Sequence, residues 1–190
     1  VGGSISLTGG ASGIVNQATI GLQGTNAIQR ITGAPTVSVT GGSGGGAAST
    51  ATSLNGNFAT IFANNTGNSQ DLSLGSVTIT AGAAGIDNSA TINGLSQVIS
   101  IAGDLTINGG GSTGTFNGAR MGGPGGFFPA ATNLTLTTTG SGNITLNGGN
   151  ILAFDYLDGS ARNPRINNYV QGSGTINLVG GGASRAAVVF

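Results

Sequence analysis

The stretch Ile99-Ser100-Ile101-Ala102-Gly103-Asp104-Leu105-Thr106-Ile107-Asn108-Gly109 decides how this 190-residue chain reads. Twice within it an aliphatic, a hydroxyl residue and a second aliphatic follow one another. Such alternation puts both aliphatics on one face of a short strand and the hydroxyl on the other. Working outward, the same triplet recurs at Ile5-Ser6-Leu7, Val37-Ser38-Val39, Leu72-Ser73-Leu74, Val77-Thr78-Ile79, Leu134-Thr135-Leu136 and Ile144-Thr145-Leu146. Looser copies stand at Ala18-Thr19-Ile20, Ala90-Thr91-Ile92 and Ile176-Asn177-Leu178. The chain is a string of short half-buried strands.

Composition removes the alternatives. The 39 glycines, together with abundant Thr, Asn and Ser, make poor helix, and the strong charged helix formers Glu and Lys do not occur. His, Cys and Trp are absent as well. Imidazole and thiolate catalysis, disulfides and ordinary Zn or haem ligand sets are therefore excluded. Lacking Lys, the chain has no P-loop, Schiff-base lysine or polybasic surface, so nucleic acid is not expected as a partner. Five cations balance five anions and the mean hydropathy is +0.22, a combination that argues for a buried core and against disorder. No apolar run reaches the roughly 18 residues of a membrane-spanning helix.

A second repeat sits at strand ends: Thr91-Ile92-Asn93-Gly94, Thr106-Ile107-Asn108-Gly109, Thr145-Leu146-Asn147-Gly148 and the truncated Thr175-Ile176-Asn177. Asn-Gly favours turns because both residues tolerate positive φ. The spacings suit a coil of about 15 to 20 residues carrying insertions. In a parallel β-solenoid, equivalent strands stack at about 4.8 Å, so like residues fall above one another. Stacking penalises like charges and rewards ladders of Asn, Thr, Ile and Val. The expected fold is thus all-β, a parallel β-helix or solenoid forming one domain over residues 1–190, with loop insertions near 41–53, 117–131 and 154–166. The alternative is an antiparallel β-sandwich or jelly roll.

The runs 72–82 and 99–111 resemble the strand repeats of filamentous-haemagglutinin-like and autotransporter-passenger secreted bacterial exoproteins. That resemblance implies a right-handed β-helix and an extracellular or cell-surface structural or adhesive role. It transfers no catalytic residue.

Two departures and the chain ends supply the candidate contact sites. Met121-Gly122-Gly123-Pro124-Gly125-Gly126-Phe127-Phe128-Pro129 contains prolines and glycines unsuited to a ladder. It is expected to leave the coil, with Phe127 and Phe128 as an aromatic knob or folded back on the core. Asp155, Asp158, Arg162 and Arg165 crowd four charges into 11 positions. They read as a locally paired or interface loop, with a polysaccharide-active carboxylate pair as the enzymatic alternative. Asp71, Asp87 and Asp104 are expected singly at turns. The strand at Ile5 and the apolar end with Val188, Val189 and Phe190 look uncapped, which invites self-association. The expected role is a non-enzymatic extracellular bacterial filament or fibre subunit without cofactor or metal. Its partner is then itself, and glycans are the partner if the chain is an adhesin segment.

Overall fold

The computed structural model describes residues 2–47, 55–109, 117–123, 133–139 and 142–148, and the backbone of four further strands beyond them. All regular structure among these residues is β. Strands follow one another in threes, each three making one coil. The first coil is β1 (Ser4–Thr8), β2 (Ala18–Gly21) and β3 (Ile28–Ile31). The second is β4 (Thr36–Thr40), β5 (Ala59–Ala63) and β6 (Ser69–Leu74), and the third is β7 (Val77–Thr80), β8 (Ala90–Gly94) and β9 (Ser96–Ile101). The fourth is β10 (Leu105–Asn108), β11 (Ala119–Met121) and β12 (Asn133–Thr138). Then come β13 (Ile144–Asn147), β14 (Asn150–Ile151) and β15 (Asn167–Gln171), followed by β16 (Ile176–Val179) and β17 (Val188–Val189).

Every third strand pairs in parallel with its counterpart. Sheet A runs β1-β4-β7-β10-β13-β16, sheet B collects β2, β5, β8, β11, β14 and β17, and sheet C runs β3-β6-β9-β12-β15. The chain is a three-faced parallel β-solenoid, not an antiparallel sandwich. The antiparallel contact among the described residues is a lone bridge between Asn108 and Gly148.

Register explains why the triplets work. Ile5, Val37, Val77, Leu105 and Ile144 form one inward column of sheet A, and Leu7, Val39, Ile79, Ile107 and Leu146 form the next. From the second coil onward these side chains are buried. Sheet B contributes a thin column, Ala18, Ala59, Ala90 and Ala119, beside a thicker one of Ile20, Ile61, Ile92 and Met121. Sheet C adds Ile31, Leu72, Ile99 and Leu136. Fully burying one such aliphatic is worth about 1.5–3 kcal/mol, so the columns are the main source of stability.

Three expectations are corrected. A coil is longer than 15 to 20 residues: from Val77 to its partner Leu105 takes 28, and from Val37 to Val77 takes 40. The spacing misled because Thr91-Ile92-Asn93-Gly94 belongs to sheet B while the copies at 106 and 145 stack in sheet A. Residues 117–123 do not leave the coil. Asn117 bonds to the third coil, Ala119–Met121 is β11, Met121 is fully buried, and the Gly122 N–H donates to the Ile92 carbonyl at 2.8 Å. Asp71 is no turn residue but lies inside β6, with Arg30 of β3 as its register partner. In the expected insertion at 41–53, Gly41 and Gly42 lie buried at the A–B corner, while 48–53 fall outside the described residues.

Candidate functional site

Two amide ladders join successive coils. The first stands at the corner between sheets A and B, two residues before each B strand. The sequence there is Asn16-Gln17-Ala18, Asn57-Phe58-Ala59, Asn88-Ser89-Ala90 and Asn117-Gly118-Ala119. The backbone N–H of Asn16 donates to Oδ1 of Asn57 at 2.9 Å, that of Asn57 to Oδ1 of Asn88 at 2.9 Å, and that of Asn88 to Oδ1 of Asn117 at 2.8 Å. Each Nδ2 is spent on corner carbonyls: Asn57 on Gly44 at 2.9 Å and Gly13 at 3.1 Å, Asn88 on Ala84 at 2.8 Å and Gly44 at 3.1 Å.

Glycine makes room for this corner. The N–H groups of Gly10, Gly42 and Gly82 close the turns onto the carbonyls of Asn16, Asn57 and Asn88 at 2.7–2.8 Å. A Cβ on Gly41 would collide with the Asn88 carbonyl oxygen of the next coil. Asn57 and Asn88 have no exposed surface, yet their amides are satisfied, as burial demands.

The second ladder lies inside sheet C. Nε2 of Gln97 donates to Oε1 of Gln70, and Nε2 of Gln70 to Oε1 of Gln29, both at 2.6 Å. Gln70 and Gln97 point inward and are almost wholly buried. The next residue in this column is Leu134, which offers no donor, and Oε1 of Gln97 is left buried without a partner. The triplet Leu134-Thr135-Leu136 thus stacks two residues out of step with the triplet at 99–101. A slip of two keeps the aliphatics inward, so alternation alone cannot reveal it.

The outer faces differ. Sheet A presents Ser6, Ser38, Thr78, Thr106 and Thr145 in one column and Thr8, Thr40, Thr80, Asn108 and Asn147 in another. Asn108 donates to Oγ1 of Thr80 at 3.2 Å, and Asn147 to Oδ1 of Asn108 at 2.8 Å. The outward column of sheet C instead mixes Arg30, Asp71, Val98 and Thr135. There Arg30 pairs with Asp71 at 3.4 Å, about 60% exposed at both partners.

Of the residues singled out from the sequence, Val188 and Val189 form β17 and pair with β14. Phe127, Phe128, Asp155, Asp158, Arg162, Arg165 and Phe190 lie outside the described residues. Asp104 stands just before β10, where its Oδ1 accepts the Asn143 N–H at 2.8 Å. Among the described residues no group of three His, Cys, Asp or Glu side chains is placed to hold a metal, and no helix is long and apolar enough to cross a membrane. The corner asparagines were missed in the sequence. Their signal, Asn-x-Ala ahead of a strand, was present but unevenly spaced.

Geometry defines the class as a three-faced parallel β-solenoid bolted by Asn and Gln ladders. No family model, curated protein or solved structure matches the chain.

Proposed function

We propose that this chain is a structural element: a stiff β-solenoid segment of a self-assembling extracellular bacterial fibre, doing no chemistry of its own. The observation that carries this reading is the use made of buried polar groups. Asn57, Asn88, Gln70 and Gln97, the most deeply buried polar side chains of the ladders, bond successive coils to one another. Side chains committed in this way stiffen the coil axis. The near absence of charge and the resemblance of runs 72–82 and 99–111 to secreted exoprotein repeats support the extracellular and fibrous parts of the reading. Negative-stain microscopy of the purified chain tests it. Rods or filaments are expected, and discrete short particles at micromolar concentration would sink the assembly claim.

A second reading, a glycan-binding adhesin segment, draws on sheet A. Its outer face carries five coils of Ser, Thr and Asn in register without a charged residue in those two columns. Binding to a polysaccharide panel that is lost in a Thr78→Lys, Thr106→Lys double variant would favour it. No retention on any polysaccharide would remove it.

A further inference from the structure

Five asparagines of the chain precede a glycine: Asn55, Asn93, Asn108, Asn117 and Asn147. An Asn-Gly pair carries its own chemistry, because glycine has no side chain to keep its main-chain nitrogen away from the asparagine Cγ. Attack by that nitrogen needs a free N–H, an amide able to turn, and room for water. Four of the five pairs are denied at least one of these. Asn93 is buried, and the Gly94 N–H donates to the Gly123 carbonyl of the next coil at 2.9 Å. The Gly109 N–H is spent on the Asn147 carbonyl at 2.8 Å. Asn117 cannot turn, since its Oδ1 holds the Asn88 N–H while its Nδ2 holds the carbonyls of Ala84 at 3.0 Å and Gly82 at 3.2 Å. Gly56 is buried so close to the Asp87 backbone that a Cβ there would strike its carbonyl oxygen.

Asn147 is placed differently. It is exposed and ends β13, and Gly148 follows it at φ 62°, a turn conformation outside the strand. The antiparallel bridge at this point uses the Gly109 N–H and the Asn147 carbonyl, and no described acceptor takes the Gly148 N–H. Donation to that carbonyl also draws electron density from the Asn147–Gly148 peptide, which makes the Gly148 N–H easier to deprotonate. Among the described residues one exposed bond holds the Asn147 amide, from Nδ2 to Oδ1 of Asn108 at 2.8 Å.

We propose that Asn147 is a self-modification site, through which the outer face of sheet A slowly acquires a negative charge. The Gly148 nitrogen loses its proton to solvent and bonds to Asn147 Cγ. The Cγ–Nδ2 bond breaks, and the amide nitrogen leaves as ammonia after taking protons from water. Water then opens the succinimide ring at one of its two carbonyls, leaving aspartate or isoaspartate. One water enters and one ammonia departs, without oxidation or reduction. The new carboxylate only accepts, so it repels Oδ1 of Asn108 where the amide had donated to it. Asn108 then reverses its amide, turning Nδ2 toward residue 147 and Oδ1 toward Thr80, whose hydroxyl changes from acceptor to donor. A single hydrolysis thus reverses a polar ladder across three coils, on columns that otherwise carry no charge. The inference does not depend on the fibre reading.

The test incubates the full chain in mildly alkaline buffer, folded and in denaturant, and follows aspartate and isoaspartate at each Asn-Gly pair by peptide mass spectrometry. In the folded chain Asn147 should react within about tenfold of its rate in denaturant. The other four should be slowed about a hundredfold or more, since their reaction waits on opening of the coils. Asn147 slowed as much as the others, or overtaken by any of them, would overturn the proposal. Asn147→Gln keeps the amide but lengthens the side chain against ring closure, so ammonia release from the folded chain should largely cease. Undiminished release from that variant places the chemistry elsewhere. In Asn147→Asp the side-chain amide resonances of Asn108 should leave their wild-type positions and return when the new carboxyl is protonated. Unmoved resonances would overturn the relay to Thr80.

Discussion

The corner ladder of asparagines and the glutamine ladder of sheet C do the same job by different means. At the corner Oδ1 of Asn57, Asn88 and Asn117 each meets a main-chain N–H of the coil before, and each Nδ2 is consumed by corner carbonyls. The neighbouring coil need only bring its backbone. In sheet C each amide bonds to another amide, so the ladder survives only as long as glutamine recurs, and at Leu134 it ends with a buried acceptor unmet. Side-chain-to-main-chain ladders tolerate sequence change in their neighbours; side-chain-to-side-chain ladders do not.

Substitutions can break that contrast. The largest effect is expected for Asn88→Ala, which strands the buried Asn57 N–H and empties a fully buried position, while the Gly44 and Ala84 carbonyls keep their bonds from Asn57 and Asn117. At about 1–3 kcal/mol for an orphaned buried group, with the packing of the side chain lost besides, the loss should reach roughly 3 kcal/mol in denaturant unfolding. Next comes an asymmetry within sheet C. Gln70→Leu orphans both Gln29 Oε1 and Gln97 Nε2 and should cost about 2 kcal/mol. Gln97→Leu merely moves the unmet acceptor back one coil and should cost well under half as much. Equal costs would show that the ladder is not directional.

Smaller effects probe the turns and faces. Val15, a β-branched residue, sits at φ 62° and is half exposed. Asn accepts that conformation more readily, so Val15→Asn should stabilise by about 1 kcal/mol, read as a raised melting temperature. Asp71→Asn should change stability by no more than about 0.5 kcal/mol, because its ion pair with Arg30 is largely in water. Added salt should erase even that difference.

The strands were legible because aliphatic–hydroxyl–aliphatic alternation is a local property, and each of the eight triplets lies on a strand of sheet A or C. Long-range pairing was not. Thr-Ile-Asn-Gly is a strand ending that suits sheets A and B alike, so distances between its copies do not measure a coil. Asn117 and Met121 were hidden by the glycines and prolines beside them, although the Asn-x-Ala pattern already marked the corner. The orphaned acceptor on Gln97 follows from a slip of two at Leu134, which leaves every inward and outward assignment unchanged. Glycine's role at Gly41 was equally invisible, since the atom it avoids belongs to the next coil.

The ladders have one consequence beyond mechanics. They are made of amides, hydroxyls and main chain, and none of these groups gains or loses a proton across the ordinary range of pH. Adhesion between coils through them is uncoupled from protonation, because no ladder group binds a different number of protons in the folded and unfolded chain. A body assembled from such contacts keeps its cohesion when its surroundings turn acid, alkaline or saline.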